Sequence, residues 1–317
     1  MSRKYGLTRQ IARVFDQKMA IGQSKKDDRD AFKKDGDKSR DPSQKIYSYE
    51  TKHTYLKQTI AGAKWIKANF ENVRTLDDVR AHLGDYFAEK EDAWSASTRT
   101  TVVSAFAKLY GITAPELREE LGLPERERSY KDVTRSRSDA ARDYGFSEEK
   151  NADLIDFARS TGLRRSELET VRGSDLREKS NGEFEIYVKG KGGRERYAPV
   201  IGDADRVARV VEMCRQADRE KVFERVHSHA DIHSYRRDYA TEIYESRARS
   251  FADCKADPFY NQEHRNSDGS RGGYDRDSVY HFRDGSGGWL DKKAMRAASE
   301  ALGHSRISVV GEHYIKR

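Results

Sequence analysis

The chain has 317 residues, of which 36% are charged and 35% hydrophobic, and its formal net charge is +7. With 17 Tyr, 12 Phe and 3 Trp, it has too many aromatic residues to be disordered throughout, and its length suits two domains. Its two cysteines, Cys214 and Cys254, cannot form a disulfide framework or a metal finger. The charge favours a polyanion such as nucleic acid as partner, although an ordinary basic cytosolic protein fits it equally well.

The opening residues, MSRKYGLTRQ, are charged and have no apolar core, so we expect no signal peptide. No apolar run approaches the length that crosses a membrane. We therefore expect a cytoplasmic protein with no membrane partner, associated with the nucleoid if nucleic acid is what it binds.

Composition divides the chain into four parts. Residues 1–45 carry 13 Lys and Arg against 7 Asp and are predicted to be a basic, flexible segment, either a solvated tail or an arm that contacts DNA. Residues 46–123 repeat apolar side chains every three or four positions, which predicts a small helical domain. Residues 124–145 are polar and basic, as is typical of an interdomain linker.

Residues 146–317 form the predicted second domain, with mixed secondary structure. A helix over Leu154, Ile155 and Ala158, begun by a Ser147 N-cap, is expected to stop at Gly162. The segment FEIYVKGKGGRERYAPV predicts two strands around a glycine-rich turn. A region rich in Gly, Ser, Asp and Arg, at about residues 246–289, contains the strand-like piece VYHF and is predicted to be an inserted β-hairpin. A final helix is expected from the N-cap Asp291 to Gly303.

The stretch HSHADIHSYRRDYATEIY has two interpretations. The histidines His227, His229 and His233 surround Asp231, close to the His-x-His-x-Asp-His run of metallo-β-lactamase-like hydrolases. However, Ile232 separates Asp231 from His233, and this extra residue turns the ligand side chain to another face. The other interpretation pairs His233 with an arginine three residues later, on one helix face, to hold a phosphate.

The second interpretation suits metal-free cleavage of DNA, which needs a nucleophile, cations on the non-bridging oxygens and a proton donor for the leaving 5′-oxygen. Arginine suits the cation because its planar fork meets two phosphate oxygens and stays charged. The chain offers such residues in this order: Arg164 and Glu167 in TGLRRSEL, Lys191 in VKGKGGRERYAPV, His233 and Arg236 in HSYRRDYAT, and His304 and Tyr314 in LGHSRISVVGEHYIKR. Each fragment alone is a weak signal, but the ordered set is a specific one.

Together these fragments resemble the tyrosine recombinases, or phage-type integrases, strongly over the second domain and weakly over the helical one. The resemblance implies a multi-domain fold: an all-α, SAM-like core-binding domain followed by a mixed α+β catalytic domain. It also implies double-stranded DNA as partner, a homotetramer on two DNA sites, and accessory DNA-bending or directionality factors. It implies neither a metal nor a cofactor.

By that resemblance, Arg164 and Arg236 would clamp the scissile phosphate, and Lys191 would be the general acid for the 5′-hydroxyl. His233 would assist proton transfer and hold the phosphate. The remaining residues would complete the site: His304 as a hydrogen-bond donor to the phosphate, Glu167 as a buttress, and Tyr314 as the nucleophile that leaves a 3′-phosphotyrosine bond.

Tyr314 departs from the usual spacing, since many members place the nucleophile nine residues after the histidine of LGH and here it is the tenth. Tyr314 remains the predicted nucleophile, and Tyr280 and Tyr274 are the less favoured alternatives. Only three residues follow Tyr314, so no C-terminal helix could pass to a neighbouring protomer. We expect protomers to couple through residues 246–289 or the helical domain instead.

The expected function is site-specific DNA recombination that integrates and excises a mobile element or prophage, with resolution of replicon dimers as a second possibility. Three alternatives stay open from the residues: a type IB topoisomerase-like relaxase, a catalytically silent DNA-binding regulator with the same fold, and a metallohydrolase.

Overall fold

The computed structural model describes residues 5–34, 44–124, 145–190, 193–257, 278–282, 287–304 and 306–315, together with the backbone of residues 263–265 and 271–274. The chain divides into two compact units, Met1–Arg128 and Ser129–Arg317. Each unit buries its own apolar side chains. No helix in the described ranges is both long enough and apolar enough to span a bilayer.

The described part of the first unit is helical. Its helices are α1 (Leu7–Gln17), α2 (Lys25–Lys34), α3 (Tyr49–Asn69), α4 (Leu76–Ala81), α5 (Leu83–Glu89), α6 (Ala96–Tyr110) and α7 (Ala114–Glu120). Hydroxyl side chains begin five of them, because each accepts a hydrogen bond from an otherwise unpaired amide of the first turn. These caps are Ser24, Ser48, Thr75, Ser95 and Thr113.

Helices α3 and α6 pack closely at the centre of this unit. A Cβ added at Gly62 of α3 would lie 2.7 Å from the Phe106 ring and 2.8 Å from the Tyr86 ring. Glycine therefore sets the approach of the two helices, and a larger side chain there would have to displace aromatic rings. The helices expected over residues 46–123 are present.

The N-terminal segment differs from the expectation of a flexible tail. Leu7, Ile11 and Phe15 of α1 are buried in the core of the first unit, and Met19 pairs with the buried Ile46 in a parallel bridge. The spacing of four residues puts these side chains on one face of the helix, a signal hidden by the surrounding charge. Helix α2 begins after Ser24, whose hydroxyl accepts from the Asp27 amide at 3.2 Å.

The second unit contains α8 (Ala152–Thr161), α9 (Arg165–Leu168), β1 (Leu176–Glu178), β2 (Phe184–Lys189), β3 (Glu195–Pro199), α10 (Ala204–Ala217), α11 (Ile232–Glu245), α12 (Phe251–Ala256), β4 (Glu263–Arg265), β5 (Arg271–Tyr274), β6 (Val279–His281), β7 (Trp289–Asp291), α13 (Lys292–Ala301) and α14 (Ser308–His313). The Ser147 hydroxyl accepts from the Lys150 amide at 3.3 Å in a short 3-10 helix, Glu149–Asn151, which leads directly into α8. Helix α13, expected to be the final one, has the predicted Asp291 cap, whose carboxylate accepts from the Lys293 amide at 2.8 Å, but α14 follows it.

Strands β1, β2 and β3 form an antiparallel sheet in that order. Ile186, Val188 and Ala198 point from it into the core, as the alternation of a strand with one buried face requires. The predicted glycine-rich turn joins β2 to β3, where the Gly190 amide donates to the Arg194 carbonyl at 2.7 Å.

Helix α11 is central to the second unit and packs between α8 and α13. Its Tyr239 is fully buried and covers Gly162, which ends α8 in the left-handed conformation at φ 59°. A Cβ at Gly162 would lie 2.2 Å from the Tyr239 ring, so only glycine fits. After this tight turn, Arg164 follows two residues later as the N-cap of α9.

The segment expected to be an insertion contains α12 and two antiparallel strand pairs. β4 pairs with β5, and β6 pairs with β7 through Val279 opposite Asp291. The strand-like VYHF piece is therefore confirmed as one arm of a hairpin. Arg249 fixes the base of the segment, because its guanidinium donates to both carboxylate oxygens of Asp291 and to Asp257.

Candidate active site

Arg236 lies at the middle of the second unit, on α11, one turn after His233. It is only 2% exposed. Its two terminal nitrogens donate to the carbonyls of Gly162 and Leu302, which are the C-caps of α8 and α13. Helix C-termini carry partial negative charge and stabilise a cation there. Burial lowers the pKa of Arg236 to about 10, so the side chain stays charged at neutral pH.

Arg164 approaches the same point from the N-cap of α9. Its guanidinium donates to Glu167 at 2.8 Å and reaches the Leu302 carbonyl at 3.4 Å. Its side chain is 31% exposed, whereas the partner carboxylate is nearly buried. Because Arg164 and Arg236 both contact the Leu302 carbonyl, two guanidinium groups converge on one place.

Glu167 holds this arrangement through two arginines. Its carboxylate accepts from the backbone amide and side chain of Arg164, each at 2.8 Å, and from both terminal nitrogens of Arg196 at 3.0 and 2.8 Å. Burial opposes ionisation of Glu167, but these hydrogen bonds outweigh it and lower the pKa to about 2. The group is therefore an anion that fixes two cations, as a buttress should be.

Tyr314 is 7% exposed, and its ring lies between two histidine rings. The ring centroids are 5.1 Å apart for His233 and 5.2 Å apart for His304. The Arg236 guanidinium carbon is 5.7 Å from the Tyr314 centroid, and Arg236 Nη2 is 3.4 Å from His304 Nε2. The structure thus brings four of the expected site residues into one cluster.

The longer spacing before Tyr314 is accommodated at the end of α14. Successive helical side chains are about 100° apart, so His313 and Tyr314 face different directions. The His313 side chain is 45% exposed and lies beside Glu312, whereas Tyr314 is buried. Tyr280 packs instead in the apolar cluster near Phe282, and the side chain of Tyr274 lies outside the described residues.

A cleft of about 430 Å³ opens beside this cluster. Its lining consists of Arg164, Arg165, Ser228, Ala230, Asp231, Ile232, His233, Arg236 and Tyr314. Nε of Arg236 is buried and has no acceptor among the described residues. The cleft is lined by three arginines and one carboxylate, which suits it to an oxyanion such as a phosphodiester.

Lys191 lies outside the described residues, so its role as general acid stays a prediction. Its neighbours are placed: Lys189 and Glu195 pair at the end of the β2–β3 hairpin, and the Gly193 amide donates to the Gly190 carbonyl at 3.1 Å.

The three histidines considered for a metal do not share one environment. His227 packs against Phe146 and His229, with ring centroids 5.2 and 5.3 Å apart, whereas His233 packs against Tyr314. Over the described ranges, no three His, Cys, Asp or Glu side chains are arranged to hold a metal ion. His233 therefore belongs with the arginines of the cleft.

Two arginines of the site were missed from the sequence. Arg165 donates to the carbonyls of His227 and Ala230 at 2.8 and 2.7 Å, which fixes the loop before α11. Arg196 lies on the same strand face as the buried Ala198. That alternation was the available signal, because a buried arginine requires acceptors nearby.

We expect His304 to be neutral at neutral pH in the free protein. Burial, reinforced by the charges of Arg236 and Arg164, lowers its pKa to about 4. Because this is below the ordinary value of 6.5, the neutral ring contributes stability above about pH 6.5 that is lost as pH falls towards 4. A ¹⁵N NMR titration of the imidazole measures the pKa of His304. The His304 signals are assigned as those that disappear in His304→Gln. Inorganic phosphate should raise this pKa, and titration of the free ring near 6.5 would contradict the geometry.

We expect Glu167→Gln to destabilise the second unit by about 3 kcal/mol at pH 7, because it leaves buried arginines without their anion. The pKa of about 2 lies below the ordinary 4.5, so the wild-type advantage is complete above about pH 4.5 and shrinks as pH falls towards 2. Hydrogen exchange of amides in α9 and β3, corrected for intrinsic rates, measures the difference in stability between the two proteins at each pH. Glu242→Gln, which breaks a more exposed pair with Arg206, should cost under about 1 kcal/mol. Equal losses would contradict the role of Glu167.

No protein-family model matches the chain, and no curated protein matches it. The solved structures that share its fold include two complexes of one recombinase with DNA. A post-cleavage complex of XerH site-specific recombinase bound to palindromic difH substrate has a TM-score of 0.51 at 14% identity and covers 98% of this chain and 94% of its own. A pre-cleavage complex of XerH bound to difH substrate has a TM-score of 0.50 at 15% identity and covers 98% and 92%.

The chain thus has the fold seen in XerH, helical with small sheets. The likeness agrees with the coarse fold class expected from the sequence. The assignment of residues 46–123 as a SAM-like core-binding domain stays a prediction.

Proposed function

We propose that the chain is a tyrosine-type site-specific recombinase that cleaves and rejoins DNA through a 3′-phosphotyrosine intermediate. The observation that carries this proposal is the position of Tyr314, whose ring lies against His233, His304 and Arg236 beside a cleft lined by arginines. The fold shared with XerH, a site-specific recombinase, supports it.

Arg164 and Arg236 would hold the scissile phosphate. Both are oriented by protein acceptors, Glu167 for the first and two helix-terminal carbonyls for the second. Their positions are therefore fixed before substrate enters, and such pre-organised charge stabilises the negative charge that develops on the phosphoryl oxygens. Neutral His304, 3.4 Å from Arg236, would donate a further hydrogen bond to the phosphate.

Tyr314 Oη would attack phosphorus and His233 would assist removal of its proton. The bond to the 5′-oxygen breaks, and Lys191, by the family resemblance, would protonate that oxygen. The products are a 3′-phosphotyrosine ester and a free 5′-hydroxyl. Because one phosphoester replaces another, rejoining is nearly isoenergetic and consumes no nucleotide.

The partner would be double-stranded DNA, held by a homotetramer on two sites, with accessory bending or directionality factors. The biological role we propose is integration and excision of a mobile element or prophage, at the nucleoid of a cytoplasm. Protomers would couple through residues 246–289 or through the helical domain.

Covalent capture tests the proposal without knowledge of the target site. Duplexes with randomised flanks and one nick are incubated with the protein in EDTA, and DNA that remains attached after denaturation is sequenced. We expect adducts enriched for one inverted-repeat sequence, with a free 5′-hydroxyl on the released strand.

Other outcomes identify the alternatives. Binding without adducts indicates a silent regulator. Adducts without sequence preference, together with relaxation of supercoils by the monomer, indicate a topoisomerase-like enzyme. Cleavage that EDTA abolishes indicates a metallohydrolase.

A further inference from the structure

Arg196 connects the parts of the chain that carry the site residues, although it does not line the cleft. It lies on β3 with only 7% of its side chain exposed. Its terminal nitrogens donate to the two oxygens of Glu167, and its Nε donates to the Ala301 carbonyl at 3.1 Å. One side chain thus joins β3, α9 and the end of α13.

Arg196 also packs closely against two glycines. A Cβ at Gly190 would lie 3.2 Å from Arg196 Nη1, and a Cβ at Gly303 would lie 2.9 Å from its Cδ. Gly190 directly precedes Lys191, and Gly303 directly precedes His304. The side chain therefore fills a space that only glycines leave open, at the roots of two predicted site residues.

The connection continues to both phosphate-binding arginines. Glu167, held by Arg196, positions the amide and guanidinium of Arg164. Leu302, the residue after Ala301, supplies the carbonyl that Arg236 and Arg164 contact. A shift of either Glu167 or the end of α13 would move a clamp arginine.

We infer that Arg196 is a positioning residue, which sets the geometry of the phosphate clamp by fixing Glu167 and the α13 terminus together. The inference rests on the proposed function and adds a residue that touches neither DNA nor the nucleophile. Lysine cannot replace it, because an ammonium group cannot donate along three fixed directions to a carboxylate and a carbonyl.

Arg196→Met and Arg196→Lys test the inference, with Arg206→Met as the matched control. Arg206 is also mostly buried and paired with a glutamate, Glu242, but it lies away from the cleft. Single-turnover cleavage of the captured site should fall roughly 100-fold in both Arg196 variants, since misplacement by about 1 Å has effects of that size. DNA affinity should change little, and Arg206→Met should cleave at the wild-type rate.

The pH profile of cleavage separates positioning from general loss of structure. Arg164 and Arg196 face the Glu167 carboxylate directly, while Lys189, Arg172 and Asp175 line the cavity on its other side. In Arg196→Met the buried carboxylate keeps only Arg164, so its pKa should rise. The acid limb of the rate profile should then lie at higher pH than in the wild type. Loss of the Arg196 charge also acts on His304, because that charge helps to lower the His304 pKa. The His304 imidazole signal is therefore titrated in both proteins, and its shift is separated from that of Glu167.

Binding of inorganic phosphate, followed through the His304 imidazole signal, tests the same inference without any cleavage. Affinity should fall about 10-fold in the Arg196 variants and stay unchanged in Arg206→Met. If the wild type fails to cleave but shows this pattern, the proposed function fails and the positioning role stands. The inference is wrong if Arg196→Lys cleaves DNA and binds phosphate like the wild type. It is also wrong if Arg206→Met loses as much cleavage rate and phosphate affinity as the Arg196 variants.

Discussion

Tyr314→Phe is expected to form no covalent complex with DNA while binding it as tightly as the wild type. The substitution removes only the hydroxyl, and the ring contacts with His233 and His304 remain. Without an oxygen to attack phosphorus there is no route to the ester. The measurement combines a denaturing gel on a nicked substrate with a mobility shift at fixed salt, because salt alters affinity strongly.

Tyr280→Phe is the matched control, since Tyr280 is the other candidate tyrosine whose side chain is described. It packs near Phe282 in the same unit and should form covalent complex at the wild-type rate. A covalent band from Tyr314→Phe, or its loss in Tyr280→Phe, would assign the nucleophile elsewhere.

Arg236→Lys is expected to lower the single-turnover cleavage rate by roughly 1,000-fold, within the range seen when a pre-organised donor to a developing oxyanion is removed. Lysine keeps the charge but cannot contact Gly162, Leu302 and a phosphate at once. We prefer it to alanine because alanine would remove the Arg236 donor from the Gly162 carbonyl and leave the Leu302 carbonyl with only its long contact to Arg164. Quenched time points on the captured site give the rate.

Arg159→Lys is the control for general damage to the packing of α8 on α11. Arg159 stacks on Tyr235 and pairs with Asp238, away from the ring of Tyr314. It should cleave within a few-fold of the wild type. If Arg236→Lys did the same, the cleft would not be the place where the phosphate reacts.

Much of the candidate site was visible in the sequence because local motifs carry it. Arg164 follows a left-handed Gly162 at the end of a helix, and His233 and Arg236 are one turn apart on α11. These are short-range relations that spacing encodes directly. The order of the fragments supplied the rest of the prediction. Four of the predicted residues line one cleft: Arg164, His233, Arg236 and Tyr314. Glu167 and His304 contact the arginines from outside it.

The features that were missed depend on long-range contacts. The strand alternation marks Arg196 as buried, but its partners, Glu167 and the Ala301 carbonyl, are far from it in the chain, so no local pattern identifies its role. Helix α1 was misjudged because the charge of its surroundings outweighed the four-residue spacing of Leu7, Ile11 and Phe15. The surroundings of the histidines in the run at His227 also depend on long-range contacts, since His233 lies in the first turn of α11 and packs against Tyr314, whereas His227 packs against Phe146.

The most direct test of the central claim is to find which atom of the protein holds the DNA. The covalent complex trapped in EDTA is digested with nuclease and protease, and the peptides are sequenced by mass spectrometry. We expect a nucleotide attached through its 3′-phosphate to Tyr314 and to no other residue. A nucleotide on Tyr280, on Tyr274 or on a serine would contradict the account, because the cleft of Arg164 and Arg236 would then not be the reacting site.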